Sequence, residues 1–367
     1  MMMSCDLLLG AEFYVAIDNK GLWPILTKLP DGTLGASIYN HPSHGRGNGS
    51  NTELWISEDC GRSWKYRSEI SAQPPDNPEA IRMNMATGVN LKGEMVAMIS
   101  GYQAGLKMPH LPLQLSISGD SGKTWKRTCV HEYDMVPFGN ILTLPDGELL
   151  CAMYSAKNDS DGRMCHFLSS PDHGRTWKLK SEIPHVNETH LLLCSNGDIL
   201  AAARSDCVKG LDNALPHGNG TLLYRSKDLG KTWNNGTFIS PQGQENANLV
   251  ELKSGKLACF ITSRIPGLFG VVYRISEDNG QTWGSFETLI SISATDWQKT
   301  DCGYPSGIQL DDGTLAIAYY FGPACHGGAR CGKSENARHT TPWHQRYHMG
   351  VCICNENILL DPGIPTL

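Results

Sequence analysis

Ser57-Glu-Asp-Cys-Gly-Arg-Ser-Trp64 is the first of five copies of one pattern, S-x-D-x-G-x-[ST]-W, in this 367-residue chain. The others are Ser118-Gly-Asp-Ser-Gly-Lys-Thr-Trp125, Ser170-Pro-Asp-His-Gly-Arg-Thr-Trp177, Ser226-Lys-Asp-Leu-Gly-Lys-Thr-Trp233 and Ser276-Glu-Asp-Asn-Gly-Gln-Thr-Trp283. Successive first serines lie 61, 52, 56 and 50 residues apart, about the length of one four-stranded propeller blade. The residue types describe a hairpin turn. Asp caps backbone N–H groups, Gly supplies positive φ, and Trp covers the turn from the side.

A second repeat keeps the same rhythm. Asp31-Gly32, Lys92-Gly93, Asp146-Gly147, Asn196-Gly197, Ser254-Gly255 and Asp312-Gly313 each sit between two apolar runs. Such dipeptides favour tight two-residue hairpin turns. In the first five units the box glycine follows the hairpin glycine by 25 to 33 residues. The sixth hairpin has no box, but Tyr347 to Cys354 reads as its third strand and Glu12 to Ile17 as a fourth that closes the ring. Closure removes exposed sheet edges. The expectation is an all-β, six-bladed β-propeller of four-stranded antiparallel blades, closed by an N-terminal strand in the last blade. Its blades begin near Trp23, Ile81, Met135, Val186, Glu245 and Asp301, in a single domain over residues 1–367.

Bulk properties agree. The 39 glycines and 9 tryptophans suit a turn-rich β fold, and a net charge of −6 gives no basic surface for nucleic acid. No apolar run reaches membrane-spanning length. Met1 to Gly10 lacks a basic n-region, so a cytoplasmic location is expected, or a periplasmic or secreted one if the start is processed. Most of the 13 cysteines lie singly in strand-like runs, as small buried hydrophobes do.

In a propeller the innermost strand of each blade starts at the mouth of the central channel. The hairpin glycine lies at the other end, and the second strand climbs back. Residues just before the first strand and just after the second therefore converge, while the boxes fall on the far face. The rule selects Trp23, His41, His44 and Arg46 from blade 1, Arg82 and Asn84 from blade 2, and Asn140 from blade 3. Blade 4 gives Glu188, Arg204 and Asp206, blade 5 Glu245, Asn246, Asn248 and Arg264, and blade 6 Asp301, Tyr304 and Tyr320. Arginines, carboxylates and aromatic rings around one mouth suit an anionic sugar, because Arg pairs bidentately with carboxylate and rings pack on sugar faces. Each residue alone also has a plainer role: Arg204 and Asp206 could simply pair, and Tyr304 could be a packed turn aromatic.

The boxes and the blade count resemble the sialidase (neuraminidase) superfamily, β-propellers with BNR or Asp-box repeats. That resemblance implies three arginines for a substrate carboxylate, a Tyr nucleophile assisted by Glu, and an Asp acid/base. A neutral phenol avoids the repulsion a carboxylate nucleophile would meet at an anomeric centre that already bears a carboxylate. Gly303-Tyr304-Pro305-Ser306 resembles the segment presenting the nucleophile, and Glu188 followed by Arg204 resembles the Glu and one of the arginines. Two positions depart. Leu22-Trp23-Pro24 stands where the family has Arg-Ile-Pro, and Phe269 stands near the blade 5 arginine, leaving Arg264 or Arg274 to take that duty. No Asp occupies the acid/base position, so His44 or His41 is the candidate acid, with Arg46 or Arg82 as replacement anion clamps.

Residues 321–345 form an insertion at the mouth of blade 6, carrying Cys325, His326, Cys331, His339 and His344. Their spacing fits no common zinc pattern, so a substrate-covering loop without metal or cofactor is expected. Three functions remain open. The first is an exo-acting glycoside hydrolase for a terminal acidic sugar, sialic acid or a relative, of the exo-α-sialidase kind. The second is a lyase or rhamnosidase-type enzyme acting at a uronic acid through His and Tyr, and the third is a non-catalytic glycan-binding propeller.

Overall fold

A computed structural model of the chain describes residues 5–42, 47–104, 110–130, 133–155, 163–205, 220–292, 300–323 and 347–362. They fold as an all-β propeller of small antiparallel four-stranded sheets, with one short helix, Glu356–Leu360. The first meander runs Leu22–Lys28, Leu34–Tyr39, Thr52–Ser57 and Lys65–Glu69. The later ones begin with innermost strands Ile81–Val89, Met135–Thr143, Thr189–Leu193, Gln244–Glu251 and Thr300–Gln309. Expected starts agree to within a residue except at Val186, where the strand begins three residues later.

The strands group into five sheets rather than separate blades of four. One eight-stranded sheet arises because Gly139 and Asn140 bridge in parallel to Ala86 and Thr87, fusing two meanders at their innermost strands. Another sheet carries a fifth strand, Cys5–Leu7, on Glu287–Ile292, which the sequence reading does not include. Glu12–Asp18 pairs antiparallel with His348–Asn355, so the N-terminal segment does complete the last four-stranded sheet.

Register places the two repeats at one end of the sheets. Ser57 of the first box pairs with Leu34, beside the hairpin glycine, whereas Leu22 pairs with Tyr39 at the opposite end. The hairpins differ from the expected two-residue turns. In all six, the residue three before the glycine accepts the glycine N–H, and its own N–H reaches the carbonyl of the residue after the glycine. Only the glycine has positive φ, from +73° to +93°. These are three-residue loops with glycine in the left-handed position.

The box turn is built around its Asp. Asp120 Oδ1 accepts from Thr124 N at 2.9 Å and from Ser118 Oγ at 2.7 Å, and its Oδ2 accepts from Thr124 Oγ1 at 2.6 Å. Trp125 and Trp233 reach sideways to Ser68 Oγ and Ser181 Oγ of the preceding meander, so two of the boxes also tie neighbouring sheets together. Between sheets the packing is tight, with small buried residues such as Ala201, Ala202 and Ala203 on second strands. Among the described residues no helix is long and apolar enough to cross a membrane.

Two predictions follow from the boxes. Gly122 has φ +81°, and an added Cβ would lie 2.1 Å from Leu54 Cδ2, while Gly32, with φ +83°, has open space around it. Gly32→Ala should cost about 1–2 kcal/mol for the left-handed backbone alone, and Gly122→Ala about 1–3 kcal/mol more from overpacking, read by urea unfolding; equal losses would contradict the close approach. Hydrogen bonds from Thr124, Thr232 and Thr282 hold the Asp120, Asp228 and Asp278 carboxyls at about 2. Folded values below the unfolded one, near 3.9, give stability that is complete above that value and lost as pH falls through the folded value. The thermal midpoint should therefore drop between roughly pH 4 and pH 2, and less steeply in an Asp120→Asn, Asp228→Asn, Asp278→Asn variant.

Candidate active site

A cavity of about 430 Å³ opens among the innermost strands, with Trp23, Phe138, Asn246 and Tyr304 in its wall. Three of these residues owe their aim to backbone irregularity. The ladders slip between Leu22 and Ile25, between Glu245 and Ala247, and between Gly303 and Ser306. Within these bulges Trp23, Asn246 and Tyr304 adopt φ of +51°, +54° and +49°. A bulge re-aims a side chain that regular pleating would send elsewhere, and non-glycine residues hold this conformation only where surrounding contacts enforce it. At Tyr304 the enforcing contact is visible: its N–H donates to Thr262 Oγ1 at 2.8 Å. Gly303 permits that approach, since a Cβ there would lie 2.2 Å from Thr262 Cγ2.

The Tyr304 hydroxyl donates to Glu188, with its oxygen 2.8 Å from Oε1 and 3.0 Å from Oε2. Arg204 Nη1 lies 3.5 Å from the same hydroxyl and 3.0 Å from Glu188 Oε2. Asn246 Nδ2 donates to Glu188 Oε2 as well. The ring of Tyr304 is enclosed by Trp23, Phe138 and Tyr320 at centroid distances of 6.3, 5.8 and 5.7 Å. Burial, then the Glu188 charge, pushes the phenol well above its ordinary value. The hydroxyl therefore stays protonated and donating until a base removes the proton.

Behind this pair runs an alternating chain of charges. Arg204 Nε approaches Glu245 Oε2 at 3.1 Å, and Glu245 Oε1 accepts from Arg264 Nη1 at 2.9 Å. Arg264 Nη2 then meets Asp301 Oδ1 at 3.2 Å and Tyr320 Oη at 3.4 Å. Asp301 also accepts from the Tyr320 and Tyr347 hydroxyls at 2.9 and 3.2 Å. The Arg264 guanidinium lies 5.7 Å from the centre of the Tyr304 ring.

The structure thus brings together Tyr304, Glu188, Arg204, Glu245, Asn246, Arg264, Asp301, Tyr320 and Trp23. Arg82 is a correction: it is 1% exposed and its Nη1 donates to Pro112 O at 2.8 Å, so it braces its own sheet rather than clamping an anion. Arg274 serves the far face, bound to the carbonyls of Ile239, Trp283 and Gly284. Asn140 and Asn248 are struts between innermost strands, on Leu191 and Gly307. His41 is half-buried and stacks on Tyr39 at 6.0 Å, and Tyr39 in turn stacks on Trp23 at 5.4 Å. His44, Arg46, Asp206 and residues 324–346 of the insertion lie outside the described residues.

Sequence reasoning missed Tyr39, Phe138, Tyr347 and Thr262. Tyr347 is the first residue of the run read as a strand, and Phe138 lies one residue from the bulge glycine Gly139, so both had a signal. His190, in the cavity wall, accepts from Leu249 N through Nδ1 at 3.3 Å, and burial pulls it down to about 3. It is neutral at ordinary pH and has no proton to give from that nitrogen. No group of three or more His, Cys, Asp and Glu among the described residues is arranged to hold a metal.

Comparison with known proteins agrees with this architecture. A sialidase of Micromonospora viridifaciens is 25% identical over 333 residues, covering 81% of this chain and 49% of that protein. The chain therefore spans about half the length of that curated relative. A protein of unknown function from Dyadobacter fermentans superposes with a TM-score of 0.72 at 17% identity, covering 95% of this chain and 98% of its own. The GH93 α-L-arabinofuranosidase of Fusarium graminearum, solved with arabinobiose, gives a TM-score of 0.62 at 13% identity, covering 95% and 98%. The model of the BNR repeat-like domain matches residues 115–317, more than half of the sequence, and the chain belongs to that family of sialidase-like BNR propellers.

Proposed function

We propose that this chain is a glycoside hydrolase that releases a terminal sugar from a glycan, with Tyr304 as nucleophile and Glu188 as its base. The observation that carries this is the Tyr304 hydroxyl donating to both oxygens of Glu188 in the cavity wall. A buried phenol in a structure with no role for it would not need a carboxylate and an arginine converging on one oxygen. As the phenolic oxygen attacks the anomeric carbon, its proton passes to Glu188, and the positive charges of Arg204 and Arg264 favour the developing negative charge on the ring oxygen. A glycosyl–tyrosine intermediate forms, the leaving oxygen takes a proton from an acid, and water then attacks the same carbon. Two displacements retain anomeric configuration. His41, at the edge of the Trp23–Tyr39 stack, and His44 are the proposed acids.

The same reading takes the meanders as six blades of one ring over residues 1–367. The eight-stranded sheet divides at its two-residue parallel bridge. Ser306 Oγ accepts from Leu26 N at 2.9 Å, joining the last innermost strand to the first.

The test is sugar release from a panel of aryl glycosides and glycan-capped oligosaccharides, followed by mass spectrometry. Tyr304→Phe and Glu188→Gln should each lower kcat by about 10²–10⁴-fold while circular dichroism and thermal midpoint stay near wild type. Full activity in Tyr304→Phe would remove the nucleophile assignment. A product lighter by one water, from a uronic-acid-capped substrate, would mark a lyase instead.

A further inference from the structure

The charges around Tyr304 point to the kind of sugar. Arg204 lies between Glu188 and Glu245, and Arg264 between Glu245 and Asp301. Three carboxylates and two guanidiniums alternate, so among the described residues the cluster carries one net negative charge. Tyr304 is protonated and adds none. Clamping a substrate carboxylate requires a guanidinium that can present its fork to the ligand. The side chains of Arg204 and Arg264 are 15% and 4% exposed, and both are already engaged on two carboxylates. An acidic sugar would bring a second uncompensated negative charge beside Glu188.

The remaining walls suit an uncharged ring. Trp23 and Phe138 offer apolar faces beside the Tyr304 hydroxyl. Asn246 turns Nδ2 onto Glu188, which fixes its Oδ1 as the outward acceptor. That oxygen is buried and accepts from no group among the described residues. Its natural donor is a ring hydroxyl. A cluster one charge negative also favours the positive charge that spreads over the ring oxygen and anomeric carbon in the transition state.

From these contacts we infer that the ring held beside Tyr304 is an uncharged sugar rather than a sialic or uronic acid, an assignment of substrate class that rests on reading the cavity as a glycosidase site. The side chain of Asp301 sets the sign of the cluster without touching Tyr304 Oη.

Two measurements separate this inference from the hydrolase reading. Turnover by the wild-type chain is compared on 4-methylumbelliferyl glycosides of glucose, galactose, L-arabinose, L-fucose and L-rhamnose, and of glucuronic, galacturonic and N-acetylneuraminic acids. Binding of the same sugars as methyl glycosides to Tyr304→Phe is read by ligand-observed NMR. Uncharged members should be cleaved, and should bind at least about tenfold more tightly than their carboxylate counterparts. Binding with that preference but no turnover would sink the hydrolase and leave the charge assignment standing. Cleavage or tighter binding of an acidic member, or binding of no uncharged member, would overturn the charge assignment. Asp301→Asn, checked for folding by circular dichroism, should narrow the preference by releasing Arg264 from one carboxylate; an unchanged ratio would also count against it.

Discussion

The site depends on one buried constraint: Glu245 must be satisfied by two arginines at once. Its side chain has no solvent exposure, and it holds Arg204 on one oxygen and Arg264 on the other. A carboxylate taken out of water costs several kcal/mol, and only close cations repay it. Those cations in turn need partners on their far sides, which are Glu188 and Asp301. The chain of charges therefore crosses three successive meanders, from the strand Ile199–Arg204 through Gln244–Glu251 to Thr300–Gln309. Tyr304 sits where its ends come closest to the cavity, so the phenol's position follows from charges that themselves leave little room to move.

Backbone strain is concentrated at the same place. Trp23, Asn246 and Tyr304 all hold left-handed φ inside bulges of innermost strands, at comparable points of three different meanders. Left-handed backbone costs about 1–2 kcal/mol for each such residue. The rest of the fold offsets it by dense packing between sheets and by box turns fixed at the opposite end. This division keeps the demanding geometry away from the boxes, whose Asp and Trp side chains are committed to the scaffold.

Much of this was legible in the chain. The five boxes and six glycine hairpins located the strands, because turn chemistry repeats where geometry repeats. The convergence of Glu188, Arg204, Glu245, Arg264 and Asp301 followed from strand direction alone. Side-chain direction did not. Arg82 stands at the right end of its strand, yet it points into the sheet toward Pro112 O, and a repeat period cannot distinguish those orientations. The pairing of each arginine with two carboxylates was equally hidden, since it needs distances across meanders. So was Tyr39, which reaches Trp23 only through the bulge. The Trp23 substitution was visible in sequence as a missing arginine, but its consequence for charge emerged only with the paired cluster in view.

The most direct measurement is mass spectrometry of the acid-quenched protein after reaction with 2-deoxy-2-fluoro glycosyl fluorides of uncharged sugars. Fluorine at that position slows the second displacement by disfavouring positive charge at the anomeric carbon. The account predicts one added glycosyl mass on the peptide carrying Tyr304, retained in wild type and absent in Tyr304→Phe. A label on Glu188 or another side chain, or steady turnover with inverted configuration and no label, would contradict it.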